Sequence, residues 1–236
     1  MTIINITDKQ LFDYITCPAY YDMKYNKGIK TEEKVTMQKL LDKVTRYFFT
    51  NLLNKRICTM DELKRKWDKV CEQNKDFINS KRNLEGMNYI INFARWAANN
   101  NIVLADFESD YTIRVGDTSV KGTLGPVAAL PGRKCELLSP RFSSREPEQN
   151  DIDKKLKYTL DCLAFKEAYN HSISAVKVIH HKNNKEFITN RTQLDYDRLT
   201  STINGVANGI QAKAFYPRES VFCSNCDLKL YCKYWS

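Results

Sequence analysis

The chain has 236 residues, 42% hydrophobic and 28% charged, with a formal net charge of +9. That suffices for one sizeable core or two small ones, and no run approaches the roughly 18 to 20 apolar residues of a membrane span. Residues 1–10 lack the basic and apolar regions of a signal peptide, so the expectation is a cytoplasmic protein with no membrane partner. The positive charge suits a polyanion, because clustered Lys and Arg neutralise phosphates and release counterions; a solvated lysine-rich surface would give the same sum. Eight cysteines are few for a disulfide scaffold of this size, and in a reducing compartment their thiols are free for metal.

The first hundred residues read as helical. Thr7-Asp8 caps a helix over 9–15, and Thr31 with Glu32 and Glu33 opens a longer one to 53, with Val35, Leu40, Leu41, Val44, Phe48 and Leu52 on its apolar stripe. Residues 61–74 and 84–99 make two more. From Ile102 the period becomes that of strands, over 103–107, 111–115, 119–124, 127–130 and 135–138, separated by Gly116-Asp117 and Pro131-Gly132 turns in the pattern of a meander. Residues 141–151 are polar and read as a mobile loop. A helix over 153–169, strands over 175–181 and 186–190, and a last helix over 195–212 follow. His171 falls in a turn and His180 and His181 at a strand end, where solvated histidines are the usual case. Cys58, Cys71, Cys135 and Cys162 stand singly and read as small buried hydrophobes.

The tail carries Cys223, Cys226 and Cys232 in a C-x2-C-x5-C run, whose thiolates can converge on one centre. A fourth ligand is needed, and no second C-x2-C pair exists to make a zinc ribbon. Cys17, within Tyr14-Ile-Thr-Cys17-Pro18-Ala-Tyr20-Tyr21, is the cleanest candidate. A thiolate set suits an iron-sulfur cluster or zinc.

A cysteine followed by proline and aromatics near the start, with C-x2-C-x5-C at the end, resembles the RecB-type iron-sulfur nucleases of the PD-(D/E)XK superfamily. These include CRISPR-associated iron-sulfur nucleases and the nuclease domain of AddB. The resemblance implies an α/β (α+β) fold, with a central mixed sheet flanked by helices and a 4Fe-4S cluster joining the two termini. It also implies one nuclease-like domain over 1–236, with a helical insert over 31–100, a core sheet and helix over 102–190, and a C-terminal helix and cysteine tail over 195–236.

The family's chemistry needs carboxylates at adjacent strand ends to hold a divalent metal, and a lysine to orient or activate water. In Val120-Lys-Gly122-Thr-Leu-Gly125, Gly125 stands where the family has a metal-binding Asp. In Cys135-Glu136-Leu137-Leu-Ser139, Leu137 and Ser139 occupy the places of the second acid and the lysine. The family's helix histidine falls near Leu40, and its Gln and Tyr fall at Lys157 and Asp161. Glu136 is one residue off and so faces away, unless a bulge intervenes. Asp106, Glu108 and Asp110 share one face by their spacing of two, the pattern of a solvated sheet edge, although Glu108 lies on a strand that in the family sometimes adds an acid.

The resemblance therefore implies a nuclease fold that binds without cutting, with no catalytic residues. Arg141, with Arg133, Lys134 and Arg145, would form a basic rim that grips phosphate. The partner would be nucleic acid or a larger protein assembly of replication, repair, recombination or transcription. The alternative is an active nuclease that uses Mg2+ through migrated carboxylates, Glu108 and Glu136.

Overall fold

The structure is a computed structural model that describes residues 3–31 and 34–234. Glu32 and Glu33, which the sequence places at a helix start, lie outside the described residues. In chain order the elements are β1 (Ile4–Thr7), α1 (Asp8–Thr16), α2 (Pro18–Tyr21), α3 (Met37–Leu53), α4 (Met60–Glu72), α5 (Ser80–Asn100), β2 (Val103–Asp106), β3 (Asp110–Val115), β4 (Thr118–Thr123), β5 (Val127–Leu130), β6 (Lys134–Arg141), α6 (Gln149–Asp153), α7 (Leu156–Tyr169), β7 (Ile173–His180), β8 (Lys185–Thr189) and α8 (Gln193–Gln211). Two compact units result, one from 1–34, 110–123 and 196–236, the other from 35–109 and 124–195.

The first unit holds a mixed three-stranded sheet in the order β1-β4-β3, with β1 parallel to β4 and β3 antiparallel to it. β1 is too short to announce itself in the sequence; its one fully inward residue, Ile6, lies beside Val120. Thr7 then starts α1 with a capping box. Its hydroxyl accepts from the Gln10 N–H at 3.1 Å while the Gln10 side chain accepts from the Thr7 N–H at 2.8 Å. Pro18 fixes where α1 stops, since the residue before a proline is pushed out of the helical region; Cys17 is accordingly extended, with φ −160° and ψ 111°. Leu11, Tyr14 and Tyr21 are buried, as are Leu199, Ile203 and Val206 of α8.

The second unit is built on a mixed five-stranded sheet in the order β2-β5-β6-β7-β8, in which only β6 and β7 run parallel. The expected meander is therefore split: β3 and β4 leave for the other sheet, and β2 pairs with β5. The sheet's Ala128, Leu138 and Ile179 join an apolar cluster with Leu40, Leu41, Val44, Phe49, Trp67, Ile90 and Phe93 from α3, α4 and α5. α7 lies along β6 and β7, where the Tyr158 hydroxyl is 2.9 Å from Ser139 Oγ. Alternation along β6 thus puts Leu137 and Ser139 on the α7 face and Glu136 and Leu138 on the other.

Several local expectations change. The long helix begins at Met37, not Thr31, because Thr36 is the residue whose hydroxyl caps it, accepting from the Lys39 N–H. The polar stretch after Phe142 contains the short α6. His180 and His181 are buried rather than solvated. His180 Nε2 lies 2.7 Å from the Ser143 carbonyl oxygen, and His181 stacks on Phe142 and meets Phe93 and Trp96 edge-on. Of the four scattered cysteines, Cys135 and Cys162 are buried, but Cys58 and Cys71 are only half-buried at the margin of the helical cluster. Among the described residues, no helix is long and apolar enough to cross a membrane.

Candidate metal centre and candidate nucleic-acid interface

In the first unit, Cys17, Cys223, Cys226 and Cys232 all line one cavity of about 240 Å³. Local structure aims them there. Cys17 sits at the extended break between α1 and α2, and Cys226 and Cys232 each follow a 3-10 turn, Cys223–Asn225 and Lys229–Tyr231. Backbone N–H groups reach two of the sulfurs, Arg218 donating to Cys17 Sγ at 3.5 Å and Ser220 to Cys223 Sγ at 3.4 Å. All four are free thiols. Burial pushes the Cys226 thiol up, with the neighbouring Asp227, Cys17 and Cys223 adding to the rise and the Leu228 backbone opposing it. As placed, no group of three or more His, Cys, Asp or Glu among the described residues is close enough to hold a metal ion.

The tail is fixed to the N-terminal helices around this cavity. The Tyr14 hydroxyl donates to the Ala214 carbonyl at 2.8 Å, the Ala19 N–H to the Tyr216 carbonyl at 3.0 Å, and Phe215 stacks on Tyr21. Asp227, next to Cys226, accepts from Thr31 Oγ1 at 2.8 Å and from the Tyr20 hydroxyl at 3.4 Å. Thus the aromatics that follow Cys17 in the sequence serve as the docking surface for the C-terminal segment.

The second unit contains the positions at which the resemblance places nuclease chemistry. Gly125 and Leu137 are neighbours, since a Cβ built on Gly125 would stand 3.4 Å from Leu137 Cδ1. Ser139 is engaged with Tyr158, and Leu40 is buried in the helical core. Lys157 and Asp161 pair with each other at 2.6 Å along α7. Glu108 has left-handed backbone (φ 58°) and pairs with Arg46 at 2.5 Å. The β6–β7 register does shift between Cys135 and Glu136, but the unmatched residue is Ser174 on β7, so Glu136 keeps its face and pairs with Lys177 at 3.3 Å.

The acidic trio does not form one exposed edge. Asp106 is buried, accepting from Ser109 and, at 2.7 Å, from the Tyr169 hydroxyl; Glu108 lies in a bend; Asp110 begins β3. The four basic residues are also spread out. Lys134 and Arg141 are the first and last residues of β6, about 23 Å apart at strand rise. Arg133 is in the turn before β6, and Arg145 is exposed and paired with Glu148 at 2.6 Å.

Sequence reasoning missed Asp42 and Lys155. Asp42 accepts from Gln38 Nε2 at 2.6 Å. Burial raises its carboxyl above the usual range, while Gln38, Arg46 and Arg141 pull it back. Lys155, the N-cap residue of α7, has its ammonium 5.7 Å from the Tyr158 ring centre. Burial and the Arg141 charge hold it below the usual lysine range, outweighing Asp151. Nothing in the sequence singles out either residue, and only the alignment of α3 and α7 with the end of β6 distinguishes them.

No protein-family profile and no curated protein sequence matches the chain. Among solved structures, it is similar to the crystal structure of a "putative exonuclease" from Eubacterium rectale, with a TM-score of 0.60 at 10% identity over 96% of this chain and 87% of that one. Two mixed sheets flanked by helices, with that likeness, define a nuclease-like α+β fold. The crystal structure of SSO0001 also matches, with a TM-score of 0.40 at 14% identity over 97% and 94% of the two chains, too low to carry an argument.

Proposed function

We propose that this chain is a member of the RecB-type iron-sulfur nuclease family that binds nucleic acid without cutting it, acting as a subunit of a replication, repair, recombination or transcription assembly. The observation that carries the proposal is that Cys17 lines one cavity together with Cys223, Cys226 and Cys232. Four thiols and no histidine line this cavity of about 240 Å³, a donor set that suits an iron-sulfur cluster. When bound, such a cluster would tie the N-terminal helices to the tail that already docks on them.

The reading of a binder and not a hydrolase is supported by side-chain chemistry. Gly125 and Leu137 offer no oxygen ligand and Ser139 no ammonium, while Glu108 and Glu136 are each engaged by a cation. The test is to incubate anaerobically purified protein with labelled single-stranded DNA, duplex DNA and RNA, with Mg2+ or Mn2+. Expected is association that weakens with salt, by a logarithmic slope of about 0.9 per phosphate neutralised on duplex DNA, and no cleavage. Cleavage that disappears in a Glu108→Ala, Glu136→Ala variant would establish the active-nuclease reading instead.

A further inference from the structure

Among the described residues, the two cations at the end of β6 and the start of α7, Arg141 and Lys155, form no ion pair. Arg141 is on the same face of β6 as Ser139, and Lys155 immediately precedes α7, whose first turn supplies Tyr158. The Ser139 and Tyr158 hydroxyls are 2.9 Å apart, and the Lys155 ammonium lies over the Tyr158 ring. Both cations are half-buried. The Arg141 charge is felt by Lys155, Tyr158 and Asp42, so these groups form one cluster. Asp151 and Asp42 are the acids within reach. Asp42 is turned to Gln38, and Asp151 affects Lys155 less than Arg141 does. Glu108 is already neutralised by Arg46.

Two like charges brought together and partly desolvated are unfavourable unless an anion joins them. Hydroxyls beside them can donate to such an anion, and the fork of Arg141 can grip two of its oxygens. With no carboxylate at Gly125, Leu137 or Ser139, a divalent metal is not the natural counter-charge at this place. We propose that Arg141, Lys155, Ser139 and Tyr158 form a seat for one phosphate group of a nucleic acid, which binds without a divalent metal. The proposal deepens the nucleic-acid reading and rests on it for the source of the phosphate; the seat itself would accept inorganic phosphate through the same contacts.

The experiment measures anisotropy of a labelled single-stranded oligonucleotide with the full anaerobic protein in EDTA, across salt. It compares the natural chain with Arg141→Gln, Lys155→Gln and, as a control, Lys182→Gln. A parallel arm follows the thermal midpoint of each protein with inorganic phosphate, which also checks that the variants fold. Expected is binding in EDTA that weakens about tenfold in each of the first two variants, with a smaller salt slope, and no change in the control. Binding equal in all four proteins would overturn the seat and leave the nucleic-acid reading standing. Binding that appears only with Mg2+ would also overturn it. No oligonucleotide binding, but a phosphate-induced midpoint rise lost in Lys155→Gln, would support the seat and refute the nucleic-acid source. Neither response would overturn both.

Discussion

The backbone N–H of Arg218 donates to the sulfur of Cys17 at 3.5 Å, across 201 residues of chain. That contact brings the N-terminal cysteine to the tail that carries the other three, beside the bonds from Tyr14 to Ala214 and from Ala19 to Tyr216. If a cluster closes this junction, its binding energy is also folding energy. Cys17→Ser should therefore lose visible absorbance and unfold at lower denaturant than the natural protein. A Cys17→Ser chain of equal stability would show that the junction needs no cluster.

Gly86 lies in the middle of α5, where alanine is intrinsically favoured by about 1 kcal/mol. Here a Cβ would fall 2.1 Å from Trp67 Cζ2, and Trp67 is fully buried. Overpacking should prevail, so Gly86→Ala is expected to destabilise by about 1 to 3 kcal/mol, read from urea midpoints. A stabilised variant would mean that α4 and α5 are not packed this closely.

His181 gives the second unit a defined acid sensitivity. Burial lowers its pKa from 6.5 to about 4, against a smaller opposing contribution from Asn184. Between these values the unfolded chain binds the proton and the folded chain does not, so stability falls as pH drops from about 6.5 to about 4 and changes little further from this group below that. The loss is on the order of 3 kcal/mol. His181→Phe, which keeps the aromatic packing on Phe142, should flatten that part of the profile; an unchanged slope between pH 7 and 5 would count against a buried neutral imidazole.

Installing the acids and lysine of RecB-type nucleases as Gly125→Asp, Leu137→Glu and Ser139→Lys should yield at most weak cleavage of DNA. Ser139→Lys removes the partner of Tyr158, Gly125→Asp must fit beside residue 137, and Arg46 still holds Glu108. Metal ligands without the groups that orient them are poorly placed. Turnover at ordinary nuclease rates in the triple variant would show that these surroundings are already suitable.

The helices were legible because their signals are local. Thr7 with Gln10 and Thr59 with Glu62 are complete capping boxes, and the apolar stripes at Leu40, Val44 and Phe48 face the core as spaced. The strands were legible one at a time, but not their partners. Ile4 to Thr7 is recognisable as a strand only through Thr118 to Lys121, and nothing in five successive strand-like runs says that the second and third belong to a different sheet. The burial of His180 and His181 is not legible because strand-end position says nothing of what lies beside it, here the Ser143 carbonyl for His180 and Phe142 and Trp96 for His181. At the candidate sites the cysteine spacing carried its own geometry, whereas Lys155 acquires meaning only where α7 starts beside Arg141.

Whether Cys17, Cys223, Cys226 and Cys232 hold an iron-sulfur cluster is decided most directly by the iron, acid-labile sulfide and zinc content of anaerobically purified protein. The account predicts about four iron and four sulfide per chain, lost together in Cys17→Ser and Cys232→Ser. A colourless protein with one zinc per chain, or with no bound metal, would contradict it.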